Sequence, residues 1–537
     1  MAFHCMNCNG SMVFDIESQK MRCLHCDSVC DPKDFVFRDQ SPEASTQVGQ
    51  AFVADGGMAV FTCQNCGAEL EGTEDSIIGF CPYCGGQSMI KSAAQGSEVE
   101  RIIPFQVSKD RCVDLYKTYT RGVRYLPREL KDPEFIQKFT GIYMPFYQYD
   151  AEFGKMEIKG KKTVEHNRRY DVVNHYLIEG EVEEPYDRGV TFDGSKYLDD
   201  EISERSLPFD ASKEQDFNPA YLSGFYADAS SVPAELYYED AKVRAEEDII
   251  GAAGSEVNTA TGIDVDEKGS TVETEVTGHH SVLYPLWFLT WRKDERVAYA
   301  VINGESGKVV SDMPLELRSF GIGCAIISVA LFLLLELLVQ PTPLITSIIS
   351  LVAAFLMAMG IKIAAKREYD QQLHVNDKGW AADEAMATGE AAAPKKRRGK
   401  GAKVPALART VVVFLAIAGI SLGLGKTLKF GSLGASLKMV LPVAVILYAI
   451  TVLVRILKWR EKVAQKDPLI AIAILFVTVL LNTAIVIISP VNDGWYYLGD
   501  AVCILGLVAS SVGMLRMYNV STTRPLPKLF DRAEVEA

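Results

Sequence analysis

Four cysteine pairs constrain the first 84 residues more than any other feature of the chain. Each pair has the spacing C-x-x-C, and fourteen residues separate Cys8 from Cys23 and also Cys66 from Cys81. A C-x-x-C pair directs two thiolates to one point, and a second pair on a short hairpin completes a tetrahedral cage of four sulfurs. The repeat therefore predicts two tandem zinc ribbons. The predicted zinc ligands are Cys5, Cys8, Cys23, Cys26, Cys63, Cys66, Cys81 and Cys84.

Such short ribbons bury little apolar surface, so metal has to supply most of their folding energy, on the order of 10–16 kcal/mol per structural zinc. We predict two structural Zn²⁺ ions, and no catalytic role for either, because four thiolates leave no position open for water. His4, His25 and Cys30 are alternative ligands in the first ribbon, and a rubredoxin-like iron site is the alternative metal centre.

Composition limits the classes of function. The 537-residue chain has a net charge of −14, which argues against general nucleic-acid binding because phosphate contacts require Lys and Arg. Clustered cysteine pairs with scattered single cysteines indicate a reducing compartment. The sequence contains neither H-E-x-x-H nor G-x-S-x-G. We therefore predict a protein that is not an enzyme and has no small-molecule substrate.

The middle of the chain, residues 100–317, has the pattern of a soluble α+β domain with an antiparallel sheet. Helical spacing predicts helices at 109–120 and 233–252, the second closing before Gly254. An aromatic strand is predicted at 141–149, with Pro145 marking an edge or a bend. Further strands are predicted at 271–276, 281–291 and 297–302, followed by a turn at 303–308.

From residue 320 the chain becomes strongly apolar. Runs of about 20 apolar residues are long enough to cross a bilayer, and six are predicted. They lie at 320–339, 344–364, 410–425, 439–457, 469–488 and 501–520. The predicted fold class is therefore multidomain: two zinc ribbons, an α+β domain, and an all-α membrane domain of about six helices.

The predicted boundaries and topology follow from these patterns. Lys and Arg are concentrated in the loops after residues 365 and 457 and in the tail, so both termini and the ribbons are predicted to be cytoplasmic in a multi-pass protein of the cell membrane. The predicted units are a first ribbon (1–38), a linker (39–58), a second ribbon (59–92), the α+β domain (100–317), a helix pair (320–364), a basic loop (365–409), four further spans (410–520) and a tail (521–537).

Short motifs in a fixed order carry a family resemblance over roughly residues 1–320. After the cysteine pairs come IPF at 103–105, GIYMPF at 141–146, FNPAYLSGF at 217–225, LYPLW at 283–287 and NGESGK at 303–308. This order resembles that of bacterial double-zinc-ribbon (TFIIB-type zinc ribbon) membrane proteins. The resemblance implies partners of the phage-shock-protein-A-like or stomatin/flotillin-like (SPFH) type, and a role in membrane stress or membrane organisation. Asn9 and Asp27 stand where that family often has glycine.

Three functions remain open at this level. The leading hypothesis is a non-enzymatic scaffold that recruits cytosolic or membrane-associated proteins to membrane lipid. The second is a transporter or channel with a zinc-dependent cytosolic regulator, based on the polar residues Glu336 and Asn482 within apolar runs. The third is a membrane-tethered DNA-binding regulator, which predicts salt-sensitive DNA binding.

Overall fold

A computed structural model covers the chain. It describes residues 5–10, 12–37, 52–54, 58–63, 68–73, 81–83, 89–93, 99–166, 171–182, 186–228, 230–293, 296–338, 343–372, 377–379, 446, 450–454, 456–457, 467–488 and 490–525.

The strands are β1 (Met12–Asp15), β2 (Lys20–Cys23), β3 (Val29–Cys30), β4 (Phe35–Phe37), β5 (Phe52–Ala54), β6 (Met58–Cys63), β7 (Glu69–Thr73), β8 (Met89–Ala93), β9 (Arg101–Ile102), β10 (Thr140–His166), β11 (Asp171–Glu181), β12 (Tyr186–Asp193), β13 (Gln215–Asp216), β14 (Tyr226–Asp228), β15 (Asp264–Val265), β16 (Thr271–Lys293), β17 (Arg296–Asn303), β18 (Val309–Ser311) and β19 (Arg524–Pro525). The helices are α1 (Lys109–Arg121), α2 (Pro133–Ile136), α3 (Asp200–Ser206), α4 (Tyr238–Thr261), α5 (Leu317–Leu338), α6 (Pro343–Gln372), α7 (Asp467–Ile488) and α8 (Gly494–Ser521).

Two long antiparallel strands, β10 and β16, form the centre of the α+β domain. Their register runs from Thr140 opposite Phe288 to Glu157 opposite Thr271. Around them the sheet continues in the order β13-β9-β16-β10-β14-β7-β6-β8, so strands of the predicted second ribbon extend the same sheet. The soluble α+β domain with an antiparallel core is thus confirmed.

Side chains that alternate along β10 enter two different cores. Tyr143 packs into a cluster that also contains Met12 and Cys23 of the first cysteine hairpin. Met144, the next residue, packs into a cluster that contains Cys63 and Cys81. Because successive side chains of a strand point to opposite faces of its sheet, the two cysteine regions pack against opposite faces of one sheet.

Most predicted elements of the domain are present, with one clear difference. The predicted helix at 233–252 is a 3₁₀ turn (Ala234–Tyr237) followed by α4, which passes through Gly254 and ends at Gly262 with a φ of +68°. The prediction that Gly254 ends this helix is wrong. A Cβ at Gly254 would lie 3.2 Å from Val265 Cγ1, so this glycine provides close helix–strand packing.

The aromatic strand and the turn predicted from sequence are confirmed. Pro145 lies within β10 at the point where its neighbour changes from β14 to β12, and its carbonyl accepts a hydrogen bond of 2.8 Å from the Gly194 N–H. A proline is tolerated there because regular pairing is interrupted. In the turn, Asn303 Oδ1 accepts from the N–H groups of Glu305 and Ser306.

The helical region differs from its prediction. Among the described residues, two stretches are long and apolar enough to cross a membrane, Ile349–Gln371 in α6 and Gly494–Ser521 in α8, and the predicted count of about six is not confirmed. The predicted spans at 320–339 and 469–488 fall largely on α5 and α7. The apolar stretches described there, Leu317–Ile327 and Ile470–Ile485, are shorter than the 18 residues taken as enough to cross a membrane. The span at 410–425 and most of that at 439–457 lie outside the described residues, as does most of the basic loop.

A buried arginine joins the end of α8 to the sheet. Strand β19 pairs with β17, and the Arg524 guanidinium contacts Asp199 at 3.0 Å and also pairs with Asp312. The side chain of Arg524 is only 7% exposed. Close by, Asn519 Oδ1 accepts from the Leu315 N–H and Asn519 Nδ2 donates to the Leu315 carbonyl, both at 2.8 Å. The carboxyl end of α8 is therefore anchored in the α+β domain.

A second contact lies after α6, where Asp377, Lys378 and Gly379 return to the domain. The Lys378 ammonium pairs with Asp240, and the Lys378 N–H donates to Asp200 at 3.3 Å. The Asp377 carboxyl lies near the buried Asp193, which is 2% exposed. The chain after α6 and the chain after α8 thus contact the same domain.

Stability is expected to fall with rising pH because of Asp193. Burial, opposed by the Ser203 hydroxyl and reinforced by Asp377, raises the pKa of Asp193 to about 8, whereas the unfolded chain has a value of about 3.9. Between these values the folded state holds a proton that the unfolded state releases, so unfolding becomes more favourable as pH rises. The melting temperature of the wild type should fall by about 5 °C or more between about pH 5 and about pH 8.5. In Asp193→Asn this fall should be smaller; an equal fall would assign it to other groups.

Candidate metal centre

Four thiols converge at the open end of the β1–β2 hairpin, opposite its turn. The Sγ atoms of Cys5, Cys8, Cys23 and Cys26 all lie within 4.8 Å of one another. The pairs Cys5–Cys26 and Cys8–Cys23 are each separated by 3.5 Å. A zinc ion with Zn–S bonds of about 2.3 Å holds tetrahedral sulfurs about 3.8 Å apart. The cluster could therefore hold a metal ion, and its size and soft donors suit zinc.

The two halves of the cluster have the same backbone hydrogen bonds. The Cys5 N–H donates to the Gly10 carbonyl at 2.8 Å, and the Cys23 N–H donates to the Ser28 carbonyl at 2.9 Å. In each half the residue after the second cysteine, Asn9 or Asp27, is left-handed, with φ values of +56° and +60°. Asn and Asp tolerate this conformation better than other residues with a Cβ. Both left-handed turns are therefore formed without glycine.

Neighbouring groups shift the pKa values of three of these thiols in different directions. The hydroxyl and backbone N–H of Ser28 lower the pKa of Cys26 to about 6, and the backbone N–H of Asn7 lowers the pKa of Cys5. The Gly10 N–H also favours the Cys8 thiolate, but the neighbouring Cys26 and Cys23 sulfurs outweigh it and raise the pKa of Cys8 to about 12. Four thiolates repel one another at these distances, and a bound divalent cation would relieve that repulsion.

Neither described alternative ligand joins the cluster. The Cys30 thiol lies 4.0 Å from Met12 Sδ, and its pKa is raised to about 11, mainly by burial. His25 is absent from the group of converging ligand atoms, although its Cβ packs beside Gly10. His4 lies outside the described residues. The four cysteines predicted for the first ribbon are the ones brought together.

The second ribbon is described only in part. Cys63 and Cys81 are fully buried, whereas Cys66 and Cys84 lie outside the described residues, so a second four-cysteine site stays a prediction. The Cys63 N–H donates to the Ala68 carbonyl at 2.9 Å, which repeats the hydrogen bond seen at Cys5 and Cys23. The Tyr299 hydroxyl donates to the Tyr83 carbonyl at 2.5 Å. This region is therefore held firmly against β17.

The first hairpin also packs on the domain, which spacing alone did not indicate. Phe14 meets Tyr221 edge to face at 5.3 Å, and the Ser223 hydroxyl donates to the Met12 carbonyl at 2.7 Å. On the other side of the hairpin, Gln19 Nε2 donates to the Phe105 carbonyl at 2.7 Å. The only sequence signal for this contact was the run of apolar and hydroxyl residues at 217–225.

Gly10 offers a test of the centre's packing. A Cβ at Gly10 would lie 3.0 Å from the His25 Cβ and 3.3 Å from the Cys8 Sγ. Gly10→Ala is expected to displace a ligand sulfur and to weaken zinc binding by about tenfold or more, the usual effect of disturbing groups around a metal's ligands. Competition with a chromophoric chelator measures this. Gly122→Ala, which has nothing within 4 Å, is the control, and equal affinities in both variants would contradict the geometry.

Comparisons with known proteins give one informative relative. The "Uncharacterized protein YdjG" of Bacillus subtilis (strain 168) is 24% identical to this chain over 323 residues. The alignment covers 59% of this chain and 91% of that protein, so nearly all of the relative aligns with part of this chain. No known family profile matches the sequence, and no solved structure matches it. The resemblance to double-zinc-ribbon membrane proteins stays a prediction.

Proposed function

We propose that this chain is a non-enzymatic scaffold of the bacterial cytoplasmic membrane, whose zinc ribbons recruit proteins from the cytosol. One observation carries the proposal. The four-cysteine hairpin packs into the sheet's core, and the same sheet holds Arg524 at the end of α8. A partner bound to the hairpin would therefore be fixed relative to the apolar helices.

The cysteine hairpin has a surface suited to a protein partner. Met6 and Leu24 occupy the same position in the two C-x-x-C pairs and are 60% and 70% exposed. Val29, which is 50% exposed, belongs to the same small domain. Large apolar side chains at exposed, rigid positions favour protein contact. We call Met6, Leu24 and Val29 the ribbon tip surface.

A membrane location is supported by the outer faces of the helices. In the most apolar part of Ile349–Gln371 only 33% is buried, and in that of Gly494–Ser521 only 28%. This is so although α6, α7 and α8 pack on one another. Trp495 and Tyr497 are exposed at the start of α8, where aromatic side chains suit a membrane interface. The chain after α6 and the end of α8 contact the α+β domain, which favours a cytoplasmic position for both.

The partners in this proposal come from the family resemblance. They are SPFH-type or phage-shock-protein-A-like proteins encoded in the same genome. Closed four-thiolate sites are structural, so we assign the zinc ions to folding and to contact. The acidic net charge of −14 disfavours nucleic acid as the partner.

Co-expression and affinity purification of the full chain test this function. We expect at least one SPFH-type or phage-shock-protein-A-like protein to copurify with the wild type. The double variant Met6→Ser/Leu24→Ser should lose this partner about tenfold or more, since buried apolar anchors dominate interface energies. Its zinc content should not change, because neither side chain is a ligand.

The matched control is Tyr119→Ser, which removes a 41% exposed apolar side chain from α1. This variant should keep the partner. Either of two results would reject the scaffold proposal in this form. One is that neither protein class copurifies with the wild type. The other is that the double variant retains the partner as fully as Tyr119→Ser does.

The transporter remains a second candidate because of polar groups inside the helical bundle. Asn482 in α7 is fully buried, and within the described part of the chain its amide atoms make no hydrogen bond. On the facing helices the Ser350 hydroxyl donates to Asp500 at 3.1 Å. Flux assays in proteoliposomes, comparing wild type with Asp500→Asn, decide between the two. Cation flux that disappears in Asp500→Asn would favour transport, and absence of flux in the wild type would end this alternative.

A further inference from the structure

A two-stranded arm extends past the end of β16. Strands β10 and β11 pair in one uninterrupted register from Lys155 opposite Glu181 to Thr163 opposite Val173. On the other side of β10, strand β16 pairs only as far as Glu157, and β15 pairs at two residues. Among the described strands β11 pairs with β10 alone, so its outer edge is open over 11 residues. We call this paired segment the β10–β11 arm.

The open edge of β11 lacks the usual protection of an edge strand. Natural edges carry proline or lysine or are covered, but β11 contains neither residue. Its side chains Val172, Val173, Tyr176 and Leu177 are 39%, 38%, 36% and 53% exposed. A two-stranded ribbon is only marginally stable by itself. The arm is therefore a surface to which another strand can add.

Charges on one face of the arm are separated into an acidic pair and a basic pair. Alternate residues of a strand share a face of the sheet. On one such face Glu157 lies opposite Glu179, and Lys161 lies opposite His175. Like charges directly opposite one another are unfavourable. Along β11 the two pairs lie two residues to either side of Leu177, and all of these side chains are exposed.

A second copy of the chain carries the complementary pattern. Opposed residues of antiparallel strands share a face, and a two-fold axis at residue 177 places residue 179 of each copy opposite residue 175 of the other. Glu179 would then face the second copy's His175, whose ring N–H donates whether the imidazole is neutral or charged. Lys161 adds positive charge beside His175 in the same row. Each acidic pair would thus meet a basic pair, twice in the dimer.

Neighbouring registers lack this complementarity. An axis at residue 176 places Asp171 of each copy opposite Glu181 of the other, which opposes two acids. An axis at residue 178 places the apolar Leu177 opposite Glu179. The axis at 177 instead opposes the two Leu177 side chains and, on the other face of the sheet, Tyr176 and Ile178. Aromatic and β-branched side chains form favourable cross-strand pairs.

We propose that this chain forms a symmetric dimer in which the β11 strands of two copies pair antiparallel about Leu177 and join the two sheets. Lys161 also lies 3.5 Å from Asp264, but both side chains are more than half exposed, so this ion pair is weak. Such a strand-to-strand contact belongs to the small class of protein interfaces. We expect a dimer Kd on the order of 1–10 µM. The inference does not depend on the scaffold function.

Cross-linking of full-length protein in detergent tests the position of the axis. In Leu177→Cys the two new thiols belong to directly opposed residues, whose Cα atoms lie about 4.5–5.5 Å apart, within the range that a disulfide spans. Oxidation with diamide should give covalent dimers well above the background set by the wild type's own cysteines. Val173→Cys is the matched control, because its two copies would lie eight residues apart along the strands, about 27 Å. Mixed Val173→Cys and Glu181→Cys chains should link to one another.

A charge exchange tests the recognition. His175→Glu and Glu179→Lys should each raise the dimer Kd by about threefold or more, since each variant opposes like charges at two symmetric places. The double variant His175→Glu/Glu179→Lys exchanges the charges and should return the Kd to the wild-type value. Sedimentation of the full-length protein in detergent measures all four.

Three results would overturn the dimer. One is a wild type that sediments as a monomer at about 100 µM, well above the expected Kd, which would assign the open edge to a different protein. Another is Val173→Cys linking to itself as fully as Leu177→Cys does. The third is a double variant that dimerises no better than the single variants. Because all of the changed side chains are exposed, the variants are expected to fold.

Discussion

Arg524→Leu is expected to lower the free energy of unfolding by about 3–5 kcal/mol, the usual effect of removing one partner from a buried ion pair. The melting temperature of the protein in detergent should fall by about 10 °C. Asp199 and Asp312 would both lose their cation. The effect should be largest at Asp312. Burial already raises the pKa of this carboxyl, and Arg524 is the main group that lowers it.

The anchoring of α8 should be lost together with the stability. Arg524 sits in β19, which pairs with β17, so its loss also frees the backbone after α8. We expect limited proteolysis to cut the chain near residue 524 much faster in Arg524→Leu than in the wild type. Arg524→Lys should be intermediate, because an ammonium keeps the charge but cannot contact both carboxylates with a planar fork.

Arg124→Leu is the control for this experiment, since Arg124 is exposed on the same domain. It should melt within about 1 °C of the wild type, as most exposed substitutions do. If Arg524→Leu also melted within that range, the buried ion pair would not anchor the helix. A scaffold that fixes its partners relative to the membrane would then need another connection.

Arg524 also shows where sequence reasoning stops. In the sequence it was one basic residue of a predicted cytoplasmic tail, and the distribution of Lys and Arg gave it a role in topology only. In the structure its partners lie 325 and 212 residues away along the chain. Local patterns contain no information about such pairs, because the sheet that brings them together is itself a product of long-range strand pairing.

The cysteine hairpin was far more predictable. The spacing of Cys5, Cys8, Cys23 and Cys26 fixes which sulfurs can meet, because each knuckle is a local turn and the hairpin between them is short. The short hairpin predicted between the two cysteine pairs is formed by strands β1 and β2. Its packing against Tyr221 and Ser223 was not predictable, because that contact depends on how distant loops are arranged.

The helices after residue 316 were less predictable than the cysteine hairpin but more predictable than the contacts of Arg524. Hydropathy correctly located helices at α5, α6, α7 and α8, since any long apolar run favours a helix in lipid or in a core. It could not separate helices that cross a bilayer from shorter ones packed among them. Among the described residues, only stretches in α6 and α8 are long and apolar enough to cross a membrane, and about a third or less of each is buried.

Cys26→Ser is expected to remove one zinc ion per chain and to unfold the first hairpin. A serine hydroxyl is a poor zinc ligand, and the metal supplies on the order of 10–16 kcal/mol to a ribbon of this kind. Met12, Phe14 and Met21, all nearly fully buried, would then lose the hairpin that holds them against the domain. Metal analysis by mass spectrometry and hydrogen exchange over β1 and β2 measure the two effects.

Cys30→Ser is the matched control, because Cys30 lies in the same small domain but outside the four-thiol cluster. Its zinc content and the exchange rates over β1 and β2 should equal those of the wild type. Equal zinc content in wild type and Cys26→Ser, or equal losses in both variants, would contradict the assignment of the four ligands. If zinc were lost while β1 and β2 stayed protected, packing on the sheet, and not the metal, would be what folds the hairpin. The ribbon tip surface could then present Met6 and Leu24 to a partner without any ion bound.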